Sequence, residues 1–368
     1  MIRPHYAYMQ NILVIAFLAC AQLSLAQRGT SFNIIAYYSA GADKVADIPA
    51  EKLSHIIYSF CHLNGNELTV DNAEDSLTIR KLVDLKKINP RLKILVSLGG
   101  WGGCKSCSDV FSTEEARLQF AKSVLVLNQL YGTDGIDLDW EYPAIEGYPE
   151  HPFKAEDKEN FTSLISVLRS TFGNQYELSF AAGGFQKYLE ESIEWDTVMT
   201  LVDRVNVMSY DLVGGYATVT GHHTPLYSSK QQKESTDNAV RYLLGIGVPR
   251  AKIVIGAAFY ARVWENVSSQ NNGLHQSGKF KRGVNYRNFA SDLSGFDLYW
   301  DNEANARYGY NPQAKQFATF DDKRSIMLKT EYAIGNGLGG IMFWELSLDQ
   351  LKDGLLDTIY RATIDHKF

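Results

Sequence analysis

Cysteine is scarce in this chain of 368 residues, with four in all. Cys20 sits in an apolar N-terminal run and Cys61 in the strand-like stretch "HIIYSFCHL". Cys104 and Cys107 make a single C-x-x-C. A zinc site needs a second such pair or nearby histidines, and the eight histidines are scattered, so no metal is expected. Lys and Arg form no cluster and the net charge is −6, so nothing points to nucleic acid. Beyond residue 27 there is no second long apolar run, no tandem repeat and no low-complexity tail. No membrane span is expected in the mature chain.

The apolar run that exists is "ILVIAFLACAQLSLA", residues 12 to 26, preceded by Arg3 and His5. Its length and the small residues near its end read as a secretory signal peptide over 1–26. Secretion is the expectation, with a periplasmic location or a lipid anchor at Cys20 as the alternatives. In an exported protein Cys104 and Cys107 are expected to form a short loop disulfide.

The whole chain is 45% hydrophobic and 12% aromatic, enough for a large core. Its most telling stretch is "DGIDLDWEYP", residues 134 to 143. Asp137, Asp139 and Glu141 alternate with Ile136, Leu138 and Trp140, the period of a β-strand. Three acids on one strand face repel each other and add little strand propensity, so chemistry is the economical reason to keep them.

Seven further strand-like stretches occur, at 32–39, 55–63, 92–100, 176–184, 203–211, 252–260 and 338–346. Helical patterns alternate with them. One begins with Ser112 and Glu115, spaced as a capping box, and ends at Gly132. Eight strands, each but the last followed by a helix, predict an α/β fold, a (β/α)8 TIM barrel. The barrel should run from 27 to 264 and resume over 321–368. The interval 265–320, rich in Asn, Gly and Tyr, is too long for a loop and is expected to be an inserted subdomain between strands seven and eight.

In such a barrel chemistry gathers at the C-terminal strand ends. Those ends carry Tyr37, Ser97, Trp101, Met208, Tyr210, Asp211, Tyr260, Arg262 and Trp344 as well as the acid row. The stretch "DGIDLDWEYP" resembles the D-G-x-D-x-D-W-E signature of glycoside hydrolase family 18, the chitinases. "ILVSLGGW", "VMSYD" and "GGIMFWEL" resemble that family's other strands, in order, and the likeness covers most of 31 to 365.

The resemblance implies that the insertion is an α+β wall of a substrate groove, and that the substrate is chitin or a chitooligosaccharide. It implies Glu141 as proton donor, Asp139 orienting the substrate acetamido group, Asp137 sharing a proton with Asp139, and Tyr210 bonding the acetamido group. Ser97 and Tyr37 would support Asp137. Phe60, Trp101, Met208, Asp211, Tyr216, Tyr260, Arg262 and Trp344 would line the sugar subsites. No cofactor is implied, and a monomer is expected. The negative charge of Asp139 and Asp137 should raise the pKa of Glu141. Tyr216 stands where many members have Trp, and "CKSC" is an addition. The alternatives are an endo-β-N-acetylglucosaminidase acting on other glycans and a chitin-binding lectin, against which the presence of Glu141 speaks.

Overall fold

A computed structural model describes residues 32–365, so the expected signal segment lies outside the described residues. The chain runs through β1 (Asn33–Tyr38), β2 (His55–Asn64), β3 (Glu67–Thr69), β4 (Lys93–Gly99) and β5 (Gly135–Asp139). It continues with β6 (Glu177–Gly183), β7 (Arg204–Met208), β8 (Ile253–Ala258) and β9 (Tyr260–Glu265). Then come β10 (Lys279–Asn285), β11 (Asp297–Asp301), β12 (Ala306–Asn311), β13 (Gln316–Phe320) and β14 (Gly340–Trp344).

Eight of these close a parallel barrel in the order β1, β2, β4, β5, β6, β7, β8, β14. Closure is made by β1, which pairs with β14 on one side and β2 on the other. The fold is a (β/α)8 barrel, as the alternating patterns predict. Ile35, Ile57, Leu95, Val254 and Met342 point inward and fill the interior. Ile34, Ile56, Val96, Ile136 and Leu138 point outward, into a core shared with helix residues such as Phe120, Val124, Leu164 and Leu168. That two-sided burial is why the strands read as nearly continuous apolar runs.

Two local expectations are corrected. The helix Glu114–Tyr131 is capped by Thr113, whose side chain accepts the Ala116 N–H, rather than by Ser112. The Ser112 hydroxyl donates to the Asp109 carbonyl instead. The first crossover, from β1 to β2, holds two 3₁₀ turns, Ala42–Asp47 and Ala50–Lys52, and no α-helix. Sixteen residues, 39–54, bridge these strands, and Pro49, which has no N–H to continue a helix, stands between the two turns.

Between β8 and the helix Lys323–Gly335 lies a second, antiparallel sheet in the order β10, β9, β13, β12, β11. Its strand β9, second in that order, starts at Tyr260, before the 265 boundary drawn from the sequence. One residue, Phe259, separates it from β8. Ala261, Val263, Val284 and Phe320 pack on one face, and Trp264, Tyr308, Tyr310 and Phe317 on the other.

Candidate active site

The acid row begins inside the barrel. Register sets Ser97 of β4, Asp137 of β5 and Ser179 of β6 side by side. Asp137 is fully buried and accepts four hydrogen bonds. Tyr37 Oη (2.9 Å) and Ser97 Oγ (3.3 Å) donate to its Oδ2. Ser179 Oγ (2.6 Å) and Asn206 Nδ2 (3.0 Å) donate to its Oδ1. Asp139, one step nearer the mouth, is also buried, yet its Oδ1 has no hydrogen-bond partner.

The sequence expectation of a strand reaching residue 143 is corrected. β5 ends at Asp139, where its partner β4 ends at Gly99, so Glu141 stands just past the sheet with no ladder to hold it. Likewise β7 ends at Met208, and Tyr210 and Asp211 follow it. Asp211 takes a positive φ of 55°, which turns its carboxylate toward Arg262 of β9. Arg262 Nε donates to Asp211 Oδ1 at 2.7 Å and its Nη2 to Oδ2, a two-pronged pair. The His223 ring lies 3.5 Å from the same carboxylate.

Together these strand ends open into a groove of about 790 Å³. Asp139 and Glu141 lie in it with Met208, Tyr210 and Asp211. Trp344 at the end of β14 forms part of its surface, stacked on Phe60 with ring centres 5.5 Å apart. Tyr37 lies 5.8 Å from the Trp344 ring. Tyr260 and Arg262 come from the second sheet, as do Phe280, Val284 and Asn285 of β10, so that sheet supplies one wall. Trp101 and Tyr216 approach from two different loops, ring centres 6.2 Å apart. Tyr37, Ser97 and Asp137 do not line the groove, and their contacts place them beneath Asp139. Cys104 and Cys107 are joined by a disulfide in the Trp101 loop. Among the described residues no helix is long and apolar enough to cross a membrane.

Burial pushes the Glu141 carboxyl up to about 7, with Asp211 adding to the rise and the Tyr142 hydroxyl lowering it in part. Dehydration in the groove is therefore the chief cause, ahead of the like charge expected from the sequence. Asp139 is raised well above the usual carboxyl range by burial, then by Glu141 and Asp137. Burial also raises Asp137, but its hydrogen-bond donors act the other way. Of the two aspartates, Asp139 is thus the better placed to carry a proton while the groove is empty. Asp211 goes the opposite way: burial would raise it, but His223 and Arg262 outweigh burial and hold it ionised. The groove so combines a carboxylic acid protonated near neutrality, a buried carboxyl with a free acceptor, and apolar aromatic surfaces.

Several groove residues had escaped the sequence reading. Tyr142 and Phe185 line the groove, and Tyr142 meets Tyr188 and Phe185 edge-on. Ser179 and Asn206 hold Asp137. Their signal was a polar residue at an inward position of an otherwise apolar strand.

The family described as "Glycosyl hydrolases family 18" matches residues 33–349. Among curated proteins, Chitinase A1 of Niallia circulans is 31% identical over 413 residues, an alignment covering 90% of this chain and 58% of that protein. The chain thus spans a little more than half the length of that relative. Among solved structures, a glycoside hydrolase family 18 N-acetylglucosaminidase from Paenibacillus barengoltzii is 36% identical with a TM-score of 0.81, covering 90% of this chain and 100% of that one. The Ostrinia furnacalis group IV chitinase is 27% identical with a TM-score of 0.84, covering 91% and 100%.

Proposed function

Because the chain belongs to glycoside hydrolase family 18, we propose that it hydrolyses β-1,4-linked N-acetylglucosamine chains with retention of configuration. The nucleophile is the substrate's own acetamido oxygen, the route that sets this family apart from two-carboxylate glycosidases. Glu141 gives its proton to the glycosidic oxygen while the acetamido oxygen bonds to C1, and the C1–O bond breaks. Asp139 accepts the acetamido N–H and stabilises the positive charge that grows on the oxazolinium ring. The Glu141 carboxylate then takes a proton from water, whose oxygen opens the ring at C1. Tyr210 donates to the acetamido oxygen, Trp344 forms an apolar floor under the reacting sugar, and Trp101 stacks on the leaving-group side. Met208 and Asp211 line the subsite of the reacting sugar, and Tyr216, Tyr260 and Arg262 contact further sugars.

One observation carries this reading: a buried Asp139 oxygen without a partner stands beside an acid whose pKa is about 7. An acceptor left empty in a dry site is costly until a ligand N–H fills it. A second reading, release of single N-acetylglucosamine units from chain ends, is favoured by the name of the 36% identical structure. Digestion of N-acetylglucosamine hexamers, followed by mass spectrometry, separates the two. Dimer with tetramer, and trimer, are expected as first products; monomer with pentamer at the first time point would favour the second reading, and intact hexamer would contradict both. We also propose that residues 1–26 direct secretion and are removed, so that N-terminal sequencing of exported protein should begin just after Ala26.

A further inference from the structure

Trp101 lines the groove yet remains 46% exposed. Beyond it, outside the groove lining, lies Tyr148, 37% exposed, with ring centres 5.5 Å apart and planes at 65°. The His151 ring follows, 4.7 Å from that of Tyr148. Three rings therefore leave the groove in sequence, the last two carried by the loop between β5 and the helix Asp157–Phe172.

That loop is anchored from below. Gly147 is packed so tightly on the Glu141 backbone that a Cβ there would come within 2.2 Å of the Glu141 carbonyl oxygen. Ile145 is buried in the main core. The Tyr148 ring rests on Gly102, where an added Cβ would meet its Cε2 at 3.1 Å. The His151 N–H donates to the Tyr148 carbonyl at 3.0 Å. Farther on, the Asp157 carboxylate accepts from the Lys154 N–H (2.8 Å) and from Ser108 Oγ (2.9 Å). The rings are thus held in place while their outer surfaces face solvent. Burial and Lys105 lower the His151 pKa, so the ring is uncharged at neutral pH, which suits contact with a neutral ligand.

Exposed rings that continue a ligand groove point to a binding surface, since contiguous exposed apolar patches mark interaction sites where a single exposed ring does not. The ring centres are 5.5 and 4.7 Å apart and the planes turn by 65° and 40°, so successive rings present differently tilted surfaces. A pyranose offers an apolar C–H face and a polar hydroxyl rim, which match a ring face bordered by water. We propose that Trp101, Tyr148 and His151 form an aromatic platform for the leaving-group part of a long N-acetylglucosamine chain, with Tyr148 and His151 holding sugars beyond the one on Trp101. The proposal rests on the chitin reading above.

Its test compares Tyr148→Ala and Tyr148→Phe with the wild type on two substrates. One is 4-methylumbelliferyl chitobioside, whose leaving group ends at Trp101; the other is the N-acetylglucosamine hexamer. Tyr148→Ala should keep kcat/KM on the short substrate within about twofold and lose about fivefold or more on the hexamer, mainly through KM. Tyr148→Phe should keep both. An equal loss on both substrates would mean that Tyr148 only props the loop behind Glu141, and no loss on either would mean that no sugar reaches it; each overturns the platform alone. A wild-type enzyme that cleaves neither substrate overturns the chitin reading, and the platform with it.

Discussion

The proposed mechanism requires Glu141 to hold a proton where a free carboxyl has long lost it, and its environment determines whether it can. Replacing it by Gln keeps the shape and removes the proton, so kcat should fall about 10²–10⁴-fold while oligosaccharide binding, followed by calorimetry, persists. Its pKa of about 7 also sets a pH limb. In the proposed mechanism the protonated form is the working acid, so kcat/KM should fall as pH rises through about 7. Asp211 raises that pKa, and removing its charge eases ionisation of Glu141. The alkaline limb of Asp211→Asn should therefore move to lower pH, and a limb that moves upward would contradict the assigned electrostatics. The acid row itself was legible, because strand alternation puts Asp137 and Asp139 on one face whatever the fold around them. The cause of the raised pKa was not, since it depends on which other elements enclose Glu141. Ser179 and Asn206 stayed hidden for a similar reason: small polar residues in a strand draw no notice until register brings them to a carboxylate.

Loops do most of the work of shaping this groove, and loops are where the sequence was least informative. The strands were found, but their ends were set by how far each neighbour continued, which is why Glu141, Tyr210 and Asp211 fall past the sheet. The Trp101 loop carries the Cys104–Cys107 disulfide, both cysteines being buried against the main core. So short a closed loop should contribute about 2 kcal/mol through the unfolded chain. A Cys104→Ala, Cys107→Ala double variant should lose about that much in denaturant titration. It should also bind hexamer more weakly, because Trp101 sits three residues before Cys104. An unchanged denaturation midpoint and unchanged binding would leave the disulfide without a role in fixing the loop.

At the scale of the molecule, the two ends of the barrel have separate duties. The end opposite the groove is tied by Glu177, which accepts from Arg204 Nη2 at 2.6 Å and pairs with His55 Nε2 at 3.0 Å. Burial would raise the Glu177 carboxyl, but His55 and Arg204 outweigh burial and hold it at about 2. Burial likewise holds His55 below its usual pKa. Glu177's pKa is lower in the folded state than the ordinary value of about 4.3, so its contribution is full above that pH and is lost as pH falls toward 2. Charging His55 on acidification costs stability in the same direction. Glu177→Gln leaves Arg204 buried without its carboxylate, so it should lose about 3 kcal/mol at pH 7, with the gap to wild type closing as pH falls toward 2. A gap that stays constant from pH 7 to pH 2.5 in denaturant midpoints would refute the pairing. The barrel was legible at this scale because eight apolar strand patterns alternated with helical ones. The 3₁₀ first crossover was not read, although Pro49 in its middle breaks a continuous helix.

The central claim is that the substrate supplies its own nucleophile. It is tested most directly by kcat on a series of aryl glycosides whose 2-acetamido group carries none, one, two or three fluorines. Fluorine drains electron density from the amide oxygen, so a reaction that bonds this oxygen to C1 in the rate-limiting step should slow with each addition, by at least about 100-fold at three, a loss of about 2.7 kcal/mol. A rate independent of fluorination would mean that a protein group attacks C1, and would contradict the roles of Asp139 as orienting group and Glu141 as acid and base.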